Sequence, residues 1–375
     1  MIVGILKEIK SSEQRVLLVP KDVQQLVEAG NEVYVENGAG TYSNFDDSTY
    51  ESVGAKILPT SEKIFQTAEL ILKVQAPMPV EYDLFLPDHI SFSFLYLPTN
   101  IERLNALLKR QSIFFAAEMI KNSDNIRPIL GAMSDIAGKL AINQGAKLLE
   151  FTSGGKGLLL SGTRGVSPAR LTILGAGNAG SAACRYALAQ GCSVNLMDSD
   201  YKKLEYFKFK VPDPRLEIFE YSRAILREVL LETDILITSV QNAEQKAPVL
   251  VRKEDVKLLN HGSVIIDLSI DQGGSVETSR PTTLENPTFI YEGIVHYCIP
   301  NLPSLVPYTS SQALSGAVLP YVQLITQLGC EEAIAIHPDI RYGLNLYRGK
   351  LVNADLAKAV NLEHYDILEL LELNI

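Results

Sequence analysis

Three groups of residues in this chain have types and spacings suited to chemistry. The first is Gly175-Ala176-Gly177-Asn178-Ala179-Gly180, which follows the apolar run Leu171–Leu174 and precedes a helical pattern through Ala182, Ala183, Tyr186 and Ala187. Strand, tight turn and helix start in that order suit a pyrophosphate. Gly175 permits the turn, Gly177 lets the backbone approach the phosphates, and Gly180 lets helix and strand pack closely. The helix start offers N–H groups and the positive end of its dipole. Ser193–Met197 reads as the next strand, and Asp198 closes it where a dinucleotide fold places the carboxylate for the adenosine ribose hydroxyls. A carboxylate there repels a 2′-phosphate, so NAD is expected over NADP, although Lys202 and Lys203 lie nearby. The plain alternative is a glycine-rich turn in an ordinary α/β domain, with Asp198 as a helix cap.

The second group is Arg15, in the polar loop after the first apolar run, and Lys73, which interrupts Leu70-Ile71-Leu72-Lys73-Val74. Ligands of open α/β sheets bind beyond the carboxyl ends of strands, which puts both residues within reach of one crevice. Arg clamps a carboxylate bidentately and Lys supplies a point charge, so the pair suits a small carboxylate substrate. The alternative is two solvated surface charges. The third group is Asp271 in Ser269-Ile270-Asp271-Gln272-Gly273-Gly274, just after the apolar run Ser263–Asp267. A carboxylate there can orient an amine or iminium. It can also be a turn aspartate before glycine.

The elements that must position these residues alternate between strand and helix. Strands are expected at 2–7, 32–35, 68–74, 90–95 and 113–116. Between them, a helix opens at Pro20 and stops at Gly30, and another runs through Leu104, Leu107 and Leu108. A helical stretch from about Ser134 to Glu150 bridges to a second unit. Its strands are expected at 171–174, 193–197, 216–219, 234–238 and 263–267. A long helical segment follows Pro307, with no strand expected after it. This pattern gives mostly parallel sheets. The fold class is α/β, with two Rossmann-like doubly wound domains and the first discontinuous in sequence. Residues 1–128 with 304–375 form the expected substrate domain and 129–303 the NAD-binding domain.

Composition narrows the function. The chain has 375 residues, 46% of them hydrophobic, and a net charge of −10. That charge argues against nucleic acid or an acidic membrane as partner. No apolar run approaches the roughly 20 residues that span a bilayer. The N-terminus reads as a strand and not as a leader. Cys184, Cys192, Cys298 and Cys330 have neither paired CxxC spacing nor a disulfide framework, which fits a reducing cytoplasm. The histidines are dispersed, and no protein-bound metal is expected.

The sequence resembles the alanine dehydrogenases, whose family includes the NAD-binding subunit of proton-pumping transhydrogenase. The resemblance runs over nearly the whole chain. It is carried by Gly4-Ile5-Leu6-Lys7-Glu8-Ile9-Lys10, Glu13-x-Arg15, Ile71-Leu72-Lys73-Val74, Met133-Ser134-Asp135-Ile136-Ala137-Gly138 and Gly154-Gly155-Lys156-Gly157. The most specific block is Ile270-Asp271-Gln272-Gly273-Gly274 through Glu277–Thr283, extended by His296-Tyr297-Cys298 and Asn301-x-Pro303. That block is of the dehydrogenase type.

The resemblance implies reversible, NAD-dependent oxidative deamination of L-alanine to pyruvate and ammonium, in a cleft between domains of a homohexamer. It implies substrate contacts from Arg15 and Lys73, a catalytic Asp271, and cofactor contacts from Gly175, Gly177, Gly180, Asp198, Ser134 and Asn301. Where the family carries its acid/base histidine, this chain has Leu95-Tyr96-Leu97, so Tyr96 stands in the catalytic position. An unperturbed Tyr titrates at about 10, and a neighbouring ammonium such as Lys73 favours the phenolate. Tyr308 replaces an Arg of a Pro-Arg-Thr-Ser run, and Pro300 precedes Asn301. These departures leave open a different amino or 2-oxo acid, or a silent NAD(H)-binding relative.

Overall fold

In the computed structural model, residues 1–240 and 247–371 are described. Residues 241–246 and 372–375, which fall inside the two expected domain ranges, lie outside the described residues. The chain divides into two units, Met1–Met133 with Ser304–Ile375, and Ser134–Pro303.

The apolar runs of the first unit form β1 (Ile2–Ile5), β2 (Glu32–Glu36), β3 (Lys56–Leu58), β4 (Leu70–Leu72), β5 (Ile90–Ser93) and β6 (Ile113–Ala116). The returning segment adds β14 (Leu344–Tyr347) and β15 (Lys350–Leu351). The sheet order is β15-β14-β6-β5-β4-β1-β2-β3, with β1 to β6 parallel and the last two strands antiparallel. Read from its other edge, the parallel part runs 3-2-1-4-5-6, the doubly wound order whose switch point lies between the first and fourth strands. Ile5, Leu72, Phe92 and Phe115 form one row across the sheet. The segments carrying Arg15 and Lys73 therefore leave one carboxyl edge, at the switch point.

The second unit repeats the pattern with β7 (Arg170–Leu174), β8 (Ser193–Asp198), β9 (Leu216–Glu220), β10 (Ile235–Thr238), β11 (Val264–Asp267), β12 (Thr288–Tyr291) and β13 (Ile294–Tyr297). Its order is β12-β13-β11-β10-β7-β8-β9, parallel except for the β12–β13 pair. Leu174, Thr238 and Asp267 share a row at the carboxyl edge, so the glycine turn after β7 also sits at a switch point.

Three expectations need correction. The bridging helix spans Pro128–Leu148, starting at Pro128 because proline suits a first helical position. Strands do follow the long helix Pro307–Leu328, namely β14 and β15. The hairpin β12–β13 and the short edge strand β3 also lay outside the expected set. Both hairpins turn through two residues of positive φ, Glu292-Gly293 and Arg348-Gly349. That is type I′ geometry, whose strong sequence signal is Asn-Gly or Asp-Gly, so Glu-Gly and Arg-Gly conceal it.

The returning helix props the first unit's polar loop. Ser311 and Ser315 lie one turn apart on its buried face. Their Oγ atoms accept the backbone N–H of Val16 and Val19, each at 3.0 Å. Ser315 also donates to the Asp22 carboxylate at 2.5 Å. The segment around Arg15 is thus fixed by a helix distant in sequence.

Candidate active site

Arg15 and Lys73 are not solvated surface charges. They are 3% and 1% exposed, and each meets a buried carboxylate. Arg15 Nε and Nη2 donate to the two Glu13 oxygens at 2.7 and 2.6 Å, and Nη1 lies 3.1 Å from Met133 Sδ. Lys73 Nζ donates to both Glu81 oxygens at 2.5 and 2.6 Å. Gln75 Nε2 donates to Glu13 Oε2 at 2.7 Å. Glu8 Oε1 accepts the backbone N–H of Val74 and Gln75 at 2.5 and 3.1 Å. These contacts tie both pairs into one cluster at the switch point.

The cluster sets its own protonation. Burial pushes the Glu13 carboxyl up, but the charge and hydrogen bonds of Arg15 outweigh it and hold it down to about 2. Burial also works against the Arg15 cation, yet Glu13 raises its pKa above the usual value. Glu8 goes the other way: burial pushes it up to about 7, with Lys73 pulling down and Glu13 pushing up. Removing one partner of such a buried pair leaves an uncompensated charge, at a cost of about 3–5 kcal/mol.

Tyr96 sits just beyond β5, 36% exposed, with φ 46 and ψ 44. A left-handed backbone is an outlier for a bulky residue and persists only where its surroundings over-determine it. Here the Glu118 carboxylate accepts the Leu95 and Tyr96 N–H groups at 3.1 and 2.7 Å. Arg103 donates to the Leu95 carbonyl at 2.9 Å, and the Tyr96 ring stacks on Phe94 with centroids 5.9 Å apart. The phenol oxygen interacts electrostatically with Arg15. Tyr96 therefore belongs to the first-unit cluster. Tyr308, a second departure, stacks on Phe45 at 5.4 Å.

In the second unit, backbone does most of the building. Gly175 has φ +99, and its carbonyl accepts the Ser239 hydroxyl at 3.0 Å. A Cβ on Gly180 would overlap the Gly175 carbonyl oxygen, whereas one on Gly177 would meet nothing within 4 Å. Gly177 is the N-cap of the helix Asn178–Ala189. Asp198 accepts the N–H groups of Ala176 and Asp200 at 2.6 and 3.0 Å and the Lys203 ammonium at 3.2 Å. Burial raises its pKa, but these donors outweigh it and hold the carboxyl below its usual value. A turn closed by Gly180, open above Gly177 and flanked by an ionised carboxylate fits a dinucleotide with free ribose hydroxyls. Ser134 is half-buried on the bridging helix, on the same face as Gly138 one turn on. A Cβ on Gly138 would overlap the Ala179 carbonyl, so that face packs against the first turn of the nucleotide helix.

Asp271 and Asn301 come together in this unit. The Asn301 backbone N–H donates to Asp271 Oδ2 at 3.1 Å, and Asn301 has φ 58. The Asp271 loop hangs from buried Asp267. That carboxylate accepts the Thr238 hydroxyl at 2.7 Å and the N–H groups of Ser269, Ser275 and Val276 at 3.0, 2.9 and 3.2 Å.

Sequence reasoning missed Glu81, Glu118 and Asp267 and gave Glu8 no role. A carboxylate at position 81 reads from sequence as an ordinary acid in the first turn of a short helix. Its partners are Lys73, eight residues back just after β4, and the Met78 N–H, which donates to Glu81 Oε2 at 2.7 Å.

Two sheets whose parallel strands run in the order 3-2-1-4-5-6 and a glycine turn answered by Asp198 define a nucleotide-binding, Rossmann-like α/β protein. Comparison with known proteins is more specific. The family descriptions "Alanine dehydrogenase/PNT, N-terminal domain" and "Alanine dehydrogenase/PNT, C-terminal domain" match residues 4–137 and 141–354. An alanine dehydrogenase of Methanococcus maripaludis is 39% identical over 97% of this chain and 98% of its own length. One of Staphylococcus epidermidis is 37% identical over 99% and 100%. A solved L-alanine dehydrogenase superposes with TM-score 0.91 at 36% identity, covering 96% of this chain and 99% of that one. The chain belongs to the alanine dehydrogenase/PNT family. A transhydrogenase from Sinorhizobium meliloti, at 23% identity and TM-score 0.79 over 94% of this chain and 99% of its own, shares the fold.

Proposed function

We propose that the chain is an NAD-dependent amino-acid dehydrogenase that interconverts L-alanine and water with pyruvate and ammonium. The observation that carries this reading is the buried pairing of Arg15 with Glu13 and Lys73 with Glu81 at a sheet switch point. Two costly ion pairs held in a loop-lined edge are what recognition of a small carboxylate requires, and relatives matched over their full length bear the name alanine dehydrogenase.

The roles follow from donors and charges. Arg15 presents Nη1 to the substrate carboxylate, since Met133 Sδ is a weak acceptor that a carboxylate outcompetes. Glu13 holds the guanidinium plane in place. Lys73 has three N–H donors; Glu81 takes two, and the third polarises the substrate carbonyl or imine. Asp271, held by the Asn301 N–H, has the role the family resemblance implies, a carboxylate for the positive charge that develops on nitrogen. Tyr96 stands in the family's acid/base position and moves protons to and from the attacking water. Gly175, Gly177, Gly180 and Asp198 would hold the NAD, with Ser134 and Asn301 bordering it; bound there, it would supply the acceptor for the hydride of the alanine Cα. The family resemblance supports a homohexamer. The four buried, free thiols accord with a cytoplasmic site of action.

The test is the initial rate of NADH formation with L-alanine, glycine, L-serine and 2-aminobutyrate, each with NAD or NADP. The reading expects L-alanine with NAD to be fastest and NADP at least about tenfold slower, because Asp198 repels the 2′-phosphate. Turnover of another amino acid with none of alanine would overturn it. Light scattering on the purified protein tests the hexamer.

A further inference from the structure

The first-unit cluster contains one carboxyl more than its cations can neutralise. Arg15 pairs with Glu13 and Lys73 with Glu81, which leaves Glu8. Its carboxyl is oriented by Oε1, which accepts two backbone N–H groups. Its Oε2 is sealed from solvent and has no hydrogen-bond partner among the described residues. Yet the side chain as a whole is only half-buried, so a proton can reach it from solvent. A buried carboxylate oxygen without a donor is a costly arrangement. The same oxygen bearing a proton is a neutral donor waiting for an acceptor.

We propose that Glu8 holds a proton on Oε2 in the substrate-ready enzyme, and that binding of an anionic 2-oxo acid is coupled to its uptake. This rests on the reading of the site as one for alanine and pyruvate. The chemistry is a proton transfer from solvent to the Glu8 carboxylate, with no other bond made or broken.

The groups facing Glu8 set the coupling. Lys73, just after β4, favours its ionised form, and Glu13, on the loop after β1, opposes it. The N–H groups of Val74 and Gln75 favour the ionised form, yet burial outweighs them and Lys73 and holds Glu8 at about 7. Arg15 feels Glu8 in turn, and Glu81 cancels much of Lys73. A 2-oxo acid adds a further negative charge, which disfavours the Glu8 anion more strongly. A zwitterionic amino acid adds none. One site therefore receives its two substrates with different proton stoichiometries, and alkaline pH disfavours the 2-oxo acid selectively.

The test is calorimetric titration of pyruvate into the NADH-saturated enzyme without ammonium, in phosphate and in Tris, from pH 6 to 9. The slope of heat against buffer ionisation enthalpy counts the protons taken up. We expect uptake near one per site at pH 8 and above, falling toward zero near pH 6. Pyruvate affinity should then fall about tenfold per pH unit well above 7. Glu8→Gln, whose amide keeps both an acceptor and a donor, should show level affinity and no uptake. Infrared spectroscopy of the ligand-free protein should reveal a protonated-carboxyl band at pH 6 that fades by pH 8.5 and is missing in Glu8→Gln.

Wild-type uptake persisting in Glu8→Gln, or a wild-type affinity level from pH 6 to 9, would overturn the proposal. The wild-type profile serves even if the variant fails to fold. Alanine turnover with no uptake sinks the Glu8 proposal and leaves the substrate reading standing. No pyruvate binding at any pH, together with no alanine turnover, sinks both.

Discussion

In the proposed function, the two switch points hold an anion by different means. In the second unit the work is done by backbone. The turn is closed by Gly175 and Gly180, left open at Gly177, and charge enters chiefly through Asp198. In the first unit the work is done by side chains. Arg15 and Lys73 are buried with Glu13 and Glu81, and Glu8 supplies a further carboxyl. A pyrophosphate can be cradled by the N–H groups that a helix start leaves without an intrahelical partner. A small carboxylate has to be recognised by full charges, which must be neutralised while they wait.

The sharpest way to break this comparison is to remove a charge from one region and read both. Lys73→Met should lower kcat/KM for alanine by about 10³-fold, as loss of a preorganised electrostatic contact does. It should also cost about 3–5 kcal/mol of stability, because Glu81 is left buried without its partner. NADH affinity should stay within about threefold. A parallel loss of NADH binding, measured by fluorescence titration, would contradict the separation of the two sites.

The converse test uses two glycines. Gly180→Ala forces a clash with the Gly175 carbonyl and should destabilise the protein by about 1–3 kcal/mol, the usual cost of overpacking. Gly177→Ala meets only open space and should leave the melting temperature unchanged while weakening NADH at least about tenfold. If Gly177→Ala binds NADH normally, the backbone approach assigned to that position is wrong. Asp198→Asn should bring a smaller change, a narrowing of the preference for NAD over NADP by about tenfold in kcat/KM.

A pH experiment reads the charge pairs directly. Glu13 is held at about 2 in the folded chain, against 4.5 for the ordinary carboxyl. Its folded-state value is depressed, so its stabilising contribution is present above about 4.5 and is lost as pH falls through about 2. The wild type should lose about 3 kcal/mol more than Glu13→Gln between pH 5 and 2, measured by urea unfolding. Equal losses would mean that Glu13 is not paired with Arg15 in solution.

The same contrast explains what the sequence disclosed. The glycine turn, its flanking strands and Asp198 are contiguous or one strand apart, and each glycine has a local reason to be there. Arg15 and Lys73 stood out because each breaks a pattern, one in a polar loop at a strand end and the other inside an apolar run. Glu13 stood close to Arg15 in the sequence, but Glu8 acquires meaning only when β1 and β4 lie side by side and bring it the Val74 and Gln75 N–H groups. Glu118 is likewise an ordinary acid until β6 brings it under the Leu95–Tyr96 backbone. The strands of the returning segment escaped notice because Asn345 breaks an already short apolar run and the hairpin turns through Arg348-Gly349.

Tyr96 is where the account meets its hardest test. Its backbone is held in the left-handed region by Glu118 and its ring by Phe94, an investment expected for a working group. The decisive measurement is NADH formation from L-alanine and NAD by the wild type and by Tyr96→His. The account predicts turnover by the wild-type protein, with Tyr96→Phe lower by about 10²–10⁴-fold, the contribution of a general acid/base. A silent wild type alongside an active Tyr96→His would contradict it, showing an intact scaffold whose tyrosine cannot do the histidine's chemistry.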